Sequence, residues 1–469
     1  MNYFGTKIKD WGTRMTKRQT NSSWILVLTS LGFFMAMMDS MIVTTASTAI
    51  RNDFHISVAT LQWAMNAYNI TVAAVLLVGV SFGERFGRRK IYNLGMLIFT
   101  IGSILCALSN DITFLVFARV IEGIGASVIT PMSMAILTNS LPTSERGKAL
   151  GIWSGIGGLA LIVGPSLGGF IVAKLTWQWI FWINVPIGVI AILLSIKILP
   201  ESFGNSDKVG LIDSLLVIIA STCIIWSLSA LTNIKSLVLP IGVGISGLLA
   251  LIWFILRQKS EEQPMIPLKY FKSIPFTGGN VATFLLYGSM YGVVFFLPQF
   301  LQVVGRTDSL TVGLEILPWT GTLVLVAPFA GVAVDKYGEK LIATLGLIFQ
   351  GIGYILIMIL VNDHSSYAKI IIPLAIAGVG LSMAGPALQK VVLGSVAKTE
   401  IGKASGIYNV FRLLGGAVGT TISVIVFYQF GGMGSLALFT SGFRAVMLSA
   451  GLISILGVIF SFRFTKSTD

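Results

Sequence analysis

Apolar residues in this chain run in long unbroken stretches, not in the strict alternation of a half-buried strand. Stretches of roughly 20 residues have the length of a helix that crosses the hydrocarbon core of a bilayer. Read in this way, the chain holds fourteen spans, at roughly 24–50, 61–82, 91–109, 113–137, 149–173, 177–196, 211–231, 237–256, 274–301, 311–333, 341–361, 370–393, 404–428 and 445–462. The polar stretches between them are mostly about 4 to 10 residues long, which suits antiparallel neighbours in a compact bundle. The predicted fold class is an all-α integral membrane protein with 14 transmembrane helices. Two longer polar breaks, 200–210 and 257–273, set off a pair of helices over 211–256 that carry few polar residues. The expected organisation is a cytoplasmic tail (1–23), a six-helix bundle (24–200), an inserted two-helix segment with its flanking loops (201–273), a second six-helix bundle (274–463) and a short cytoplasmic tail (464–469).

Composition narrows the classes. Of 469 residues, 55 % are hydrophobic and only 11 % charged, against about 25 % charged in soluble domains. A soluble enzyme, a nucleic-acid binder and a disordered scaffold are excluded. The net charge of +13 follows topology. With the N-terminus placed inside, 23 Lys and Arg fall on the inner side and six outside (Arg51, Lys174, Lys235, Arg306, Lys369 and Arg444), while Arg119, Lys390 and Arg412 lie within spans. That bias obeys the positive-inside rule, puts both termini in the cytoplasm and favours contact with anionic lipid headgroups, with no call for nucleic acid. Cys106 and Cys223 sit in apolar spans, and His55 and His364 in predicted outer loops. Neither disulfide, metal nor other cofactor is implied, and no reactive constellation of an enzyme is present. The first apolar run continues past Asp39 and thirteen spans follow, so it is expected to be a retained helix, not a cleaved leader.

An internal repeat divides the chain. Gly83-Glu84-Arg85-Phe86-Gly87-Arg88-Arg89 is echoed by Val334-Asp335-Lys336-Tyr337-Gly338-Glu339-Lys340, 251 residues later. Gly147-Lys148-Ala149-Leu150-Gly151-Ile152 is echoed by Gly402-Lys403-Ala404-Ser405-Gly406-Ile407 at an offset of 255. Two echoes at nearly equal offset indicate duplicated six-helix halves plus an inserted pair. Parallel six-helix repeats are how one large class of secondary transporters is built, with the substrate site between the halves.

Ionisable residues inside the membrane carry the most weight, because a charge at the bilayer centre costs about 2.5–3.5 kcal/mol even on lenient scales. Asp39 and Glu122 are the two carboxylates well inside spans; Asp213 and Glu315 lie in first turns, within reach of the headgroups. Asp39 stands about 15 residues, or roughly 22 Å, into its helix and must face protein or water. It reads either as a site that binds and releases protons or as a structural carboxylate bonded to neighbouring helices. Met35, Met37, Met38 and Met41 surround it and suit an adaptable binding surface. Glu122 follows Arg119 by three residues, close enough for an ion pair that either locks the helix or yields to a proton or cationic substrate. Arg412, with Asn409 one turn before it, needs a partner or a place facing the cavity. Tyr287, Tyr291 and Phe295 form an aromatic stripe that either packs or holds a planar or cationic ligand.

Several motifs resemble the major facilitator superfamily, and within it the fourteen-helix drug:proton antiporters. The stretch from Val80 to Arg89 resembles its motif A, with Val80 and Glu84 departing from glycine and aspartate; the second copy, Gly331 to Lys340, keeps both the glycine and Asp335. Arg119-Val120-Ile121-Glu122-Gly123-Ile124-Gly125 resembles motif B, with Glu122 in place of glutamine. Gly164-Pro165-Ser166-Leu167-Gly168-Gly169 resembles the antiporter motif C. Asp39-Ser40-Met41-Ile42-Val43, Gln62-Trp63 with Tyr68, and the run Trp177 to Pro186 are similar to signatures of the fourteen-helix branch. The resemblance implies a monomer in a bacterial cell membrane that exchanges protons for lipophilic, cationic drugs by alternating access, driven by the proton gradient alone. A lipid, a metabolite or an anionic drug is the alternative cargo. It also implies proton coupling through Arg119, to which Asp39 and Glu122 are added here, and a gate formed by Glu84, Arg85, Gly87 and Arg88 with Asp335 and Gly338. The fifth helix, with Gly164, Pro165, Gly168 and Gly169, is expected to pack closely and seal one face. The expected cavity is lined by Asp39, Glu122, Met35, Asn66, Tyr287, Tyr291, Asn409 and Arg412.

Overall fold

The computed structural model describes residues 3–204, 210–230, 238–261, 264, 266–363, 366–397 and 401–464; within these, the side chains of 3–21 and of scattered positions including Asp335 lie outside the description, as does His364. Helices make up most of the described residues, and no strand occurs among them. Eleven helices are long and apolar enough to cross a membrane. A twelfth span, α2 (Val58–Phe86), qualifies as a bent pair, Val58–Leu76 and Val78–Phe86, at 49°. The other two expected spans take different forms. The seventh is a shorter apolar helix within α8 (Leu211–Ala230). The tenth is broken into α11 (Ser309–Glu315), α12 (Leu317–Leu325) and α13 (Ala327–Tyr337). Pro318 opens α12, and a proline without an N–H suits a first turn but interrupts a continuing helix. The first span is the apolar part, Ser22–Asp53, of a helix α1 that starts at Tyr3.

Two groups of helices pack around the middle of the molecule. The first holds α1, α2, α3 (Arg88–Ala107), α4 (Ile112–Ser140), α5 (Thr143–Lys174), the one-turn α6 (Trp179–Trp182) and α7 (Asn184–Ile198). The second holds α10 (Ile274–Val303), α11 to α13, α14 (Glu339–Leu360), α15 (Ala368–Gly394), α16 (Ile401–Phe430) and α17 (Leu436–Phe464). α8 leans on both α2 and α16, and α9 (Val238–Ser260) packs on α8 while its other flank, with Leu249, Ile252 and Trp253, is exposed. Such outward apolar surface is what lipid tails cover. Asp213, in the first turn of α8, is buried against Arg257 at 2.8 Å, and Glu315, the last residue of α11, is buried beside Thr307. Asp308 caps α11; the Thr311 hydroxyl and amide hold its carboxyl below the ordinary range.

Glycine lets helices approach where the site lies. A Cβ at Gly102 of α3 would stand 2.6 Å from the backbone of Glu122, so α3 and α4 touch main chain to main chain there. Gly164 and Gly168 of α5 face Met38, Met41 and Ile42 of α1, while Gly169 abuts Ser309 and the Pro165 carbonyl abuts Gly313 across the two groups. The two copies of the first repeated motif share one backbone feature. Gly87 and Gly338 both have positive φ, 105° and 84°, at the turn into the next helix.

Replacing Gly102 with Val should separate α3 from α4. Thermal unfolding in detergent is expected to show a loss of about 1–3 kcal/mol or more, the range for overpacking, with Gly155→Ala, which meets nothing within 4 Å, as the silent control.

Candidate functional site

Four helices meet at the Arg119 guanidinium. Its Nη1 donates to Asp39 Oδ2 at 2.5 Å and to Glu122 Oε2 at 2.7 Å. Arg119 is 2 % exposed and both carboxylates 0 %. The other carboxylate oxygens are bonded as well. Asn184 Nδ2 donates to Asp39 Oδ1 at 3.2 Å and to Ser103 Oγ at 3.3 Å, and the Ser103 hydroxyl donates to Glu122 Oε1. The bonds close a ring, Asp39–Arg119–Glu122–Ser103–Asn184, built from α1, α4, α3 and α7. The Cys106 thiol adds a contact to Glu122 Oε2 at 3.4 Å. Tyr68 of α2 lies over the guanidinium at 4.2 Å from its ring centre, with its hydroxyl donating to the Ala36 carbonyl at 2.9 Å; Phe181 of α6 lies at 5.7 Å.

The energetics follow from burial. A guanidinium in a medium this dry must be matched by charge and by hydrogen bonds, and a carboxylate likewise. Charge-assisted bonds of this length are the strong ones. With both acids ionised the ring carries one net negative charge, and a single proton makes it neutral.

A cleft opens between the two groups of helices on the other side of Tyr68. Its free space is about 20 Å³, close to the room one water needs, and it is lined by Met37, Tyr68, Asn69, Tyr291, Asn409 and Arg412, among others. The Arg412 guanidinium lies over the Tyr287 ring at 5.3 Å, and its Nη2 contacts Met37 Sδ at 3.5 Å. A second hollow between the same groups is lined mostly by apolar side chains such as Met41, Pro165, Met290 and Trp319.

Against the residues expected from sequence, several placements differ. Asp39 and Glu122 do not line the cleft, because Arg119 holds both in the sealed ring behind Tyr68. Met35 is fully buried in the core of the first group. Asn66 instead ties α2 to α16, donating to Thr421 Oγ1 at 3.2 Å. Phe295 leaves the aromatic stripe for the core, edge-on to Phe296. Tyr291, Asn409 and Arg412 do line the cleft, and Tyr287 lies beside Arg412. At the α2–α3 turn, Arg88 approaches Glu84 at 3.8 Å and Arg85 is exposed beside Phe86. The carboxylate that caps α3 is Glu201, accepting from Arg89 N at 2.9 Å and Lys90 N at 3.2 Å. In the second copy Gly338 begins α14, and Glu339 pairs with Lys390 at 3.1 Å; the Asp335 side chain is outside the described residues. Polar ties between the groups gather at the end remote from these turns, where Gln62 donates to Thr421 Oγ1 at 2.6 Å, Gln302 to the Thr45 carbonyl at 3.3 Å and Ser166 to the Gly313 carbonyl at 3.3 Å. Ser103, Cys106, Asn184 and Glu201 were missed as site residues; only Asn184 carried a signal, as part of the Trp177–Pro186 run.

Comparison with known proteins adds three findings. The sequence profile of the Major Facilitator Superfamily matches residues 28–420 and 281–469. Riboflavin transporter RibZ of Clostridioides difficile (strain 630) is 32 % identical over 412 residues, 87 % of this chain and 88 % of that protein. Multidrug resistance protein Stp of Mycobacterium tuberculosis (strain CDC 1551 / Oshkosh) is 28 % identical over 405 residues, covering 85 % and 74 %. The crystal structure of a POT family transporter in complex with thioalcohol conjugated peptide superposes with a TM-score of 0.71 at 16 % identity, covering 95 % of this chain and 96 % of that one, which speaks to the fold alone.

Arg119→Gln strands two buried carboxylates and is expected to lower stability by about 3–5 kcal/mol. The triple variant Arg119→Gln, Asp39→Asn, Glu122→Gln restores neutrality and should unfold at a higher temperature than Arg119→Gln alone.

Proposed function

The chain belongs to the Major Facilitator Superfamily, and on that premise we propose that it exports lipophilic compounds in exchange for protons by alternating access. The observation that carries this reading is the Asp39–Arg119–Glu122 ring, sealed from the cargo cleft by one tyrosine. A proton taken up there changes the ring from one net negative charge to none. That change alters what Arg119 must hold and hence how α1 and α4 pack. The Met- and Trp-lined hollow beside the cleft suits apolar cargo, and multidrug resistance protein Stp is among the relatives.

The two groups of helices act in this reading as two six-helix halves, with α8 and α9 as an inserted, peripheral pair. The protein works as a monomer in a bacterial cell membrane with both ends in the cytoplasm, as the lysine and arginine bias favours. The ties of Gln62, Gln302 and Ser166 close the outer end, and the motif A turns at Gly87 and Gly338 form the inner gate. Opening one end while closing the other is the two-state rocking that such folds use.

In proteoliposomes loaded with a lipophilic fluorescent dye, an imposed pH gradient should drive export by the wild-type protein. Asp39→Asn, which leaves Arg119 and Glu122 paired but titrates differently, should lose the gradient dependence. Export unaffected by the gradient, or unchanged in Asp39→Asn, would remove the ring from the mechanism.

A further inference from the structure

Among the described residues, Arg412 is the one charged residue lining the cleft. Its Nη2 meets only the weak Met37 sulfur acceptor, its Nε is buried with no hydrogen-bond partner, and no carboxylate pairs with it among the described residues. A guanidinium has five N–H donors and no acceptor, and the contacts to Met37 and to the Tyr287 face leave it without a charged or oxygen partner among the described residues. This is the reverse of Arg119, whose charge is over-matched by two carboxylates. Asn69 of α2, which lines the same cleft, is buried and its side-chain Oδ1 has no partner among the described residues either. Tyr291 lines the same cleft, and the Tyr287 ring lies beneath the Arg412 guanidinium.

We propose that the cleft, widened as the two groups of helices part in the transport cycle, binds flat aromatic acids, a deepening that rests on reading this cleft as the cargo chamber. The carboxylate takes the Arg412 fork side-on, displacing Met37, because a planar guanidinium matches a carboxylate with two parallel bonds. The aromatic body lies along Tyr287 and Tyr291, where offset stacking is favourable. A ring hydroxyl or N–H at the far edge donates to Asn69. Cationic cargo is disfavoured: the acids that would attract it are sequestered in the ring behind Tyr68, and the cleft itself presents a positive charge.

The test uses the full-length protein in detergent, without any gradient, and three probes that share one ring system. Calorimetric titration compares 2-naphthoate, 2-naphthamide and 2-naphthylmethylammonium. The carboxylate should bind roughly tenfold more tightly than the amide, with the ammonium weakest, given the strength of bidentate charge-assisted pairing. Arg412→Gln should remove the preference for 2-naphthoate and leave 2-naphthamide unchanged; Arg412→Lys, which keeps the charge without the fork, should retain part of it. Asn69→Leu should weaken 6-hydroxy-2-naphthoate and spare 2-naphthoate. An ammonium that binds as well as the carboxylate in the wild-type protein overturns the proposal. So does an Arg412→Gln protein with a native unfolding profile that keeps the acid preference; if that variant does not fold, the order of the three probes in wild type and in Arg412→Lys decides. Because binding at equilibrium needs no proton gradient, an acid preference without gradient-driven export would sink the export reading alone. Export without the preference would sink this one.

Discussion

A guanidinium buried among helices that lipid surrounds is tolerable only if counter-charge comes to it, and that constraint organises the first half of this protein. Arg119 has acids at 2.5 and 2.7 Å. To supply them, α1 must bring Asp39 against α4. The remaining carboxylate oxygens then need donors, which Ser103 of α3 and Asn184 of α7 provide. Close helix contact at Gly102 is what lets α3 deliver Ser103 and Cys106 to Glu122. The ring thus links four helices through polar bonds in a setting where apolar packing alone gives little orientation.

The two intramembrane arginines are handled in opposite ways. Arg119 is enclosed, over-matched and covered by Tyr68; Arg412 is open to the cleft and under-matched. Tyr68 belongs to both settings, since its ring covers Arg119 and also lines the cleft. In the proposed exchange, cargo in the cleft and a proton at the ring would both bear on this one side chain. For an anionic cargo leaving as a proton enters, two elementary charges move in the direction that an inside-negative potential favours, about 4.6 kcal/mol per 100 mV. A neutral cargo would gain half of that.

Much of the architecture was legible in the sequence, because hydropathy over long windows reports what faces lipid. Among the described residues each of the fourteen apolar runs falls mainly on helix, although the seventh is short and the tenth is cut in three near Pro318. The site was half legible. Arg119 and Glu122 are three residues apart, so their pairing follows from helix geometry. Asp39 lies 80 residues from Arg119, and nothing local says that they meet, so a carboxylate read as facing the cavity turned out to be enclosed. Ser103 and Cys106 gave no signal at all, since a serine or cysteine in an apolar span is ordinary. Glu201 was hidden for a different reason: it lies in a polar connection that reads as a linker, yet its carboxylate supplies the cap of α3.

Gly87 and Gly338 mark the same turn in the two copies of the repeat, with φ of 105° and 84°. Backbone in this region is closed to nearly every residue with a side chain. At Gly87 the neighbouring Glu201 carboxyl, 2.8 Å from where a Cβ would stand, closes it a second time, whereas at Gly338 nothing among the described residues stands within 4 Å. Stereochemistry, independent of cargo or energy source, therefore pins one glycine in each half. As the two copies diverge elsewhere, these positions remain comparable, and they serve as fixed points for tracing descent from a single ancestral half. The second copy has one lock where the first has two, so it is the copy in which drift at this turn should begin.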